Sequence, residues 1–341
     1  MFDWKWNLSD IRQDKPVRVF STFSCGGGSS MGYKRAGFEV IGNVEIDPRM
    51  NSLYKKNLHP RFSFEMDLRE FNNLPSTHLP PELFALDILD GSPPCTSFSM
   101  AGQREKTWGK AKRFNEGQKL QTLDDLFFTY LDTVAKLQPK ICIAENVSGL
   151  LKGNARGYVN EILARFRELG YTVQLFRLNA ANMNVPQSRE RCFFIANRCG
   201  FPKLTLSFDE PLIPFGEVRT PHGNKPKPGI YAQMIALRKR SDTCMADICL
   251  RERGIFSGFN NRICQDDRVS DTITAHGTYY RGFDGMVLNE ADYRNVCTFP
   301  QDYDFSPEDP HYVVGMSVPP NMMANIGTAI WTQWLKDGAD S

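Results

Sequence analysis

One cysteine, one glutamate and a pair of arginines have the types and settings that chemistry needs. Cys95 lies in the polar turn Asp90–Gly102 (DGSPPCTSFSMAG), directly after the apolar run Leu83–Leu89. Two prolines before it stiffen the turn. In doubly wound sheets ligands bind at the carboxyl ends of the strands, so a thiol at such an end is placed to act as a nucleophile. The competing assignment is a buried structural thiol, which behaves as a small hydrophobe. Glu145 closes the apolar run in ICIAENVSGL, where a carboxyl sits at the rim of a sheet; a helix cap or an ion pair is the plainer alternative. Arg189 and Arg191, in QSRERCFFIA, are two apart and share one face of an extended segment. Such a pair suits an anion or a carbonyl oxygen better than two solvated side chains do.

A second set lies upstream. FSCGGGSSMG, residues 23–32, follows an apolar run and opens a helical pattern. Its glycines allow a tight turn and close approach of a ligand. Glu45, in NVEID, ends the next strand pattern and is placed to accept hydrogen bonds from ribose hydroxyls. Asp67, in EMDLRE, follows a candidate third strand and is placed to accept from an adenine amino group. The run is not G-x-G-x-x-G, and by itself it does not choose among nucleoside cofactors.

The elements that must position these residues alternate. Strands are predicted at Val17–Phe23, Glu39–Ile46, Leu83–Leu89, Ile141–Ala144, Thr172–Leu178 and Cys192–Ala196. Helices are predicted at Ser30–Ala36, Arg49–Asn57, Leu123–Leu137 and Gly157–Leu169. That alternation predicts an α/β fold, a mainly parallel doubly wound sheet, with a second, smaller domain. The expected boundaries are 1–199 for a catalytic and cofactor-binding domain, 200–265 for the smaller domain, and 266–341 for a segment returning to the first. Residues 200–265 are rich in Pro and Gly and hold ten Lys or Arg against six Asp or Glu, a surplus that fits a phosphate-bearing partner. Pro319 and Pro320 suit a helix start, after which Met322, Met323, Ile326, Ile330, Trp331 and Trp334 fall on one face.

Bulk properties narrow the class. Of 341 residues, 41% are hydrophobic and 23% charged, so a packed core is expected and wholesale disorder is not. The net charge of +2 neither demands nor excludes a nucleic-acid partner. Nine cysteines at scattered spacings match no zinc pattern, so no metal site is expected and a reducing, cytoplasmic setting is. MFDWKWNLSD lacks the layout of a secretory leader, and no apolar run is long enough to span a bilayer, so no membrane association is expected.

Taken in order, Pro94-Cys95 with Phe98-Ser99, Glu145-Asn146-Val147 and Gln187-x-Arg189-x-Arg191 resemble the PCQxFS, ENV and QxRxR motifs of the C5 cytosine-specific DNA methyltransferases. Phe23–Gly28 is similar to that family's cofactor motif DLFxGxGG, and GMSVPP (Gly315–Pro320) to its closing GNxVPP. RVSDTITAHG (Arg268–Gly277) and YRNVCTFPQDY (Tyr293–Tyr303) resemble the segments that follow its target recognition region. The resemblance runs from about Val17 to Leu335. The sequence departs from the pattern at Ser21, Cys25 and Met316, where Asp, Gly and Asn are usual.

The resemblance implies a sheet of the S-adenosylmethionine-dependent methyltransferase type and a target recognition domain at 200–265. It implies S-adenosyl-L-methionine as cofactor, held by Phe23, Gly27, Gly28, Glu45, Ile46, Asp67, Leu126 and Ser317. Cys95, Glu145, Arg189 and Arg191 are the implied catalytic set. The implied reaction is methylation of C5 of a cytosine flipped out of duplex DNA, through a Cys95–C6 adduct. The stretch Thr96–Leu120, with Arg104, Lys106, Lys110, Lys112, Arg113, Lys119 and Trp108, is then expected to close over the base. A monomer is expected, in a bacterial or phage setting with a cognate restriction endonuclease as candidate partner. The same chemistry on RNA and a catalytically silent nucleic-acid-binding protein are the competing assignments. A nicotinamide-dependent dehydrogenase fits less well, because no His or Lys acid–base candidate accompanies the glycine turn.

Overall fold

The computed structural model describes residues 2–94, 126–151, 156–255 and 261–336. Cys95, Phe98, Ser99 and the stretch expected to close over a base lie outside the described residues. The chain forms two compact units. One comprises Ile11–Leu178, Glu190–Ser207 and Met323–Ser341; the other comprises Met1–Asp10, Asn179–Arg189 and Phe208–Met322.

The first unit is built on a seven-stranded sheet of order β3-β2-β1-β4-β5-β8-β6. Its strands are β1 (Arg18–Thr22), β2 (Glu39–Glu45), β3 (Phe62–Glu65), β4 (Ile88–Gly91), β5 (Ile141–Val147), β6 (Thr172–Asn179) and β8 (Glu190–Asn197). The pairs β1–β2, β2–β3, β1–β4 and β4–β5 are parallel, and β5–β8 is antiparallel. Helices α1 (Gly28–Arg35), α2 (Pro48–Leu58), α3 (Leu68–Asn73), α4 (Leu126–Leu137) and α5 (Arg156–Glu168) alternate with the strands. This is the predicted α/β sheet. Strand order reverses between β1 and β4, the switch point at whose carboxyl ends sheets of this kind bind ligands.

Continuous apolar runs explain why these strands are central: Val19, Phe20, Ile88, Leu89, Ile141, Cys142 and Ile143 are all fully buried, as parallel strands covered on both faces require. Phe20, Leu89, Phe127, Tyr130, Leu131, Val134 and Phe194 share one core. Two predicted boundaries shift. Leu83 belongs to a 3-10 turn, Pro81–Phe84, and β4 starts only at Ile88. Leu83 is nonetheless fully buried, so its apolar character reports burial and not extended backbone. Glu145 lies within β5 rather than after it, because the antiparallel partner β8 carries the ladder on to Val147.

The C-terminal helix α11 (Pro320–Ile330) starts at the predicted proline. Within the first unit, Met323, Ile326, Ile330 and Trp334 are buried, and Trp334 stacks on Phe201 at 5.5 Å. Trp331 is only half-buried.

The second unit carries short elements. Strands β7 (Gln187–Ser188) and β10 (Ser270–Asp271) pair in parallel, as do β9 (Arg262–Cys264) and β11 (Tyr279–Arg281). Its helices are α6 (Phe215–Val218), α7 (Ile230–Ala236), α8 (Met245–Arg253), α9 (Glu290–Val296) and α10 (Pro310–Met316). A small core of Met234, Ile235, Met245, Ile248, Cys249, Ile263 and Tyr280 joins α7 and α8 to β9 and β11. Each of these helices is too short to show a hydrophobic period, which is why the sequence between 200 and 265 reads as aperiodic.

The end of β4 has no slack. A Cβ at Gly91 would stand 2.6 Å from Thr22 Oγ1 and 2.7 Å from the Tyr130 ring. Gly91→Ala is therefore expected to destabilise the protein by about 1–3 kcal/mol through overpacking. Urea unfolding measures this; an unchanged midpoint would show that β4 yields where the packing says it cannot.

Candidate active site

The turn that leads to Cys95 leaves the carboxyl end of β4 and is tied to its neighbours on both sides. From β1, Thr22 Oγ1 donates to the Asp90 carbonyl at 3.0 Å. From β5, the buried Asn146 donates through Nδ2 to the Pro93 carbonyl at 3.1 Å, while its Oδ1 accepts from the Val147 N–H at 2.9 Å. Asn146 thus clamps the chain two residues before Cys95.

Beside that clamp, Arg191 Nε meets Glu145 Oε1 at 2.9 Å, with side chains 14% and 12% exposed. The register explains the contact. Glu145 pairs with Phe193 and Val147 with Arg191, so Glu145 and Arg191 are diagonal neighbours on one face of the β5–β8 ladder. Arg191 Nη1 also donates to its neighbour's carbonyl at Glu190, 2.8 Å away. A charge-assisted pair with so little exposure holds the Glu145 carboxyl in a fixed direction.

The glycine turn shows backbone strain. Phe23 and Cys25 adopt φ values of 51° and 47°, the left-handed region that costs a non-glycine residue roughly 1–2 kcal/mol. Gly27 has φ 90°, and a Cβ there would meet Leu58 at 2.8 Å. The buried Glu45 carboxylate braces this turn: Oε2 accepts from the Cys25 N–H at 2.7 Å and Oε1 from the Asp47 N–H at 2.9 Å. Burial lifts its pKa to about 7, against the opposing pull of the N–H groups of Asp47, Cys25 and Ile46. Below it, Asn43 Nδ2 donates to Ser24 Oγ and to Asn51 Oδ1, both at 2.9 Å.

The other predicted site residues are placed as follows. Gly28 is buried and opens α1, Ile46 is half-buried after β2, and Leu126 is buried at the start of α4. Asp67 caps α3 by accepting from the Arg69 N–H at 2.9 Å. Arg189 and Ser317 belong to the second unit. Arg189 is buried there, donating to the carbonyls of Ile273 at 2.9 Å and Gly315 at 3.2 Å. Ser317 Oγ donates to the Val313 carbonyl at 2.7 Å at the end of α10. The structure therefore joins Glu145 to Arg191 and Glu45 to the glycine turn, and gives Arg189 main-chain partners of its own. Sequence reasoning passed over Asn146 as a clamp and Ser24 and Asn43 as supports. The first was discoverable from its place in ENV; the others carry no local signal.

The C-5 cytosine-specific DNA methylase family model matches residues 17–233. The chain belongs to that family. Among its relatives, the Type II methyltransferase M.NgoPII of Neisseria gonorrhoeae is 29% identical over 359 residues, covering 92% of this chain and 95% of its own length. The Type II methyltransferase M.FnuDI of Fusobacterium nucleatum is 33% identical over 200 residues, 58% of this chain; there the chain spans only about half the relative, 51%. A solved structure of a protein encoded within an E. coli prophage superposes with a TM-score of 0.67 at 18% identity, over 93% of this chain and 99% of that one. The S. pombe Dnmt2 methyltransferase gives a TM-score of 0.62 at 16% identity over 93% and 98%. At such identities these two show the shared methyltransferase fold. Among the described residues no helix is long and apolar enough to cross a membrane, and no cluster of three metal-ligating side chains occurs.

A carboxyl raised from 4.5 to about 7 by folding binds its proton more tightly in the native state. Its contribution to stability is full below pH 4.5 and is lost as pH rises through 7. Asp90, raised from 3.8 to about 7 chiefly by burial, adds to the same slope. Glu45→Gln is thus expected to flatten the fall in urea midpoint between pH 5 and pH 8 without abolishing it. A slope as steep as that of the unaltered chain would contradict the assignment.

Proposed function

We propose that this chain transfers a methyl group from S-adenosyl-L-methionine to C5 of a cytosine flipped out of duplex DNA, through a transient bond between Cys95 Sγ and C6. The observation that carries this is the arrangement at the ends of β4 and β5, where Asn146 holds the carbonyl of Pro93 and Arg191 holds Glu145 on the adjoining strand. The family membership supplies the substrate class.

The residues of the glycine turn suit the proposed cofactor. Gly27, at φ 90° and with no room for a Cβ beside Leu58, keeps the turn free of a side chain, and Glu45 offers a buried carboxylate with acceptor capacity beyond its N–H partners at Cys25, Ile46 and Asp47. Phe23, Gly27, Gly28, Glu45, Ile46, Asp67, Leu126 and Ser317 are the proposed cofactor contacts. When bound, the cofactor supplies an electrophilic methyl group on a sulfonium sulfur.

Cys95, as thiolate, adds to C6 and makes C5 nucleophilic, dividing one hard step into easier ones. Glu145 faces N3 and shares a proton with it as negative charge develops, and Arg191 donates to O2 with the N–H groups that Glu145 and Glu190 leave available. Arg189 acts by fixing the carbonyls of Ile273 and Gly315. After methyl transfer, loss of the C5 proton and expulsion of the Cys95 thiolate restore the aromatic ring. Extruding the base costs a few kcal/mol, which contacts to the DNA must offset.

We assign those contacts to a target recognition region at residues 200–265, of which residues 208–265 belong to the second unit. An arginine-rich turn there supports this. Arg238, Lys239 and Arg240 line a cavity of about 530 Å³ with Phe283, Asp266 and Asp267, the two carboxylates pairing with Arg219 at 2.9 Å and Arg240 at 2.8 Å. Arg219 stacks over the Phe283 ring at 4.6 Å, and Arg238 donates to the carbonyls of Gly282 and Phe283. A braced turn offering an exposed ring among guanidinium groups suits stacking and phosphate contact. The proposed setting is restriction–modification, with a cognate endonuclease as partner, because relatives bear Type II names.

Base-resolution mapping of 5-methylcytosine on duplex DNA incubated with protein and cofactor tests the reaction and reads its target sequence. Cys95→Ser is expected to lower methylation at least a thousandfold, about 4 kcal/mol, with DNA binding retained. Duplex containing 5-fluorocytosine is expected to trap the protein covalently, since fluorine cannot leave C5 as a proton does. An active enzyme that escapes trapping would sink the covalent route.

A further inference from the structure

We propose that Asp90 is a positioning residue that locks the cofactor turn to the nucleophile turn, supplying from β4 the carboxyl that the family motif carries on β1 at residue 21. The inference rests on the methyl-transfer function proposed above. It begins from a departure: DLFxGxGG places an acid where this chain has Ser21.

The register resolves that departure. Ser21 and Asp90 are direct partners in the parallel β1–β4 pair, at the point where strand order reverses. Both are buried, at 1% and 2% exposure. Asp90 Oδ2 accepts from Ser21 Oγ at 2.8 Å, and Oδ1 accepts from Tyr33 Oη at 3.0 Å. Tyr33 is fully buried on α1, the helix opened by Gly28. One carboxyl therefore holds β1, α1 and β4 together. Two residues beyond Ser21 the chain enters the strained turn at Phe23; three residues beyond Asp90 it reaches the clamped Pro93.

Burying a carboxyl is costly unless it is hydrogen-bonded. Here two hydroxyls meet its two oxygens, and no cation is needed. The carboxyl stands on β4 instead of β1, displaced by one strand spacing of about 4.8 Å, and faces the hydroxyl of Ser21. Asp90 touches neither substrate nor cofactor in this scheme. It acts through the two turns.

Exchanging the pair tests the inference. Asp90→Ser, Ser21→Asp and the double variant are compared by urea unfolding, by calorimetric binding of S-adenosylmethionine, and by binding to duplex DNA. Asp90→Ser leaves two buried hydroxyls without their acceptor, and Ser21→Asp sets two carboxyls side by side. Each single variant is expected to weaken cofactor binding tenfold or more, with DNA affinity within twofold of the unaltered chain. The double variant is expected to recover cofactor affinity to within about threefold, the signature of coupled neighbours. A double variant no better than the worse single, or one that does not fold, overturns the inference. So does an Asp90→Ser chain that binds cofactor normally, or one whose DNA and cofactor affinities fall together. If the unaltered chain binds no S-adenosylmethionine, the methyl-transfer proposal fails on its own. The exchange is then judged by unfolding alone, where a tenfold recovery of the unfolding constant in the double variant supports the strand-locking role and its absence overturns it.

Discussion

The reversal of strand order between β1 and β4 is the constraint on which the site depends. Parallel strands must send their connections away over the sheet. Where the order reverses, successive connections leave in opposite directions and a crevice opens at the carboxyl ends. The glycine turn leaves β1 at that switch point, and Ser92–Pro94 leave β4. Beneath these turns β1 and β4 stay in unbroken register from Val19 opposite Ile88 to Thr22 opposite Gly91.

Holding divergent loops still requires polar bonds in a buried setting. Thr22 takes the Asp90 carbonyl, Asn146 takes the Pro93 carbonyl, and Glu45 takes the Cys25 N–H. All three side chains are buried or nearly so. Water competes poorly for such bonds, and each group would carry a desolvation penalty if left unpaired. The same burial raises the Glu45 and Asp90 carboxyls to about 7, so the anchors are sensitive to proton concentration near neutrality. Backbone strain at Phe23 and Cys25 is sustained by this bracing, since neither residue would choose φ near 50° alone.

The second unit uses different means. Its strands are two or three residues long, and its core is small. Buried guanidinium groups brace it: Arg281 is fully buried and meets Asp284 at 3.0 Å and Asp292 at 3.7 Å, and Arg189 binds two carbonyls. In the turn Gly282–Gly285 only Phe283 is exposed, and both glycines are packed too closely against Gln265 and Arg238 to carry a Cβ.

The sequence alone determined the alternation of strands and helices, the acidic end of β2, and the order of the motif residues. These are legible because they depend on local period and on residue type at a strand end. It placed β4 too early, since Leu83 is apolar for reasons of burial, and it stopped β5 short, since antiparallel pairing with β8 lies fifty residues away in the chain. It saw Glu145 and Arg191 as separate candidates. Only the β5–β8 register made them a diagonal pair, and only the β1–β4 register set Asp90 opposite Ser21. Register is fixed by packing of whole elements, so no single segment encodes which distant side chain it will face.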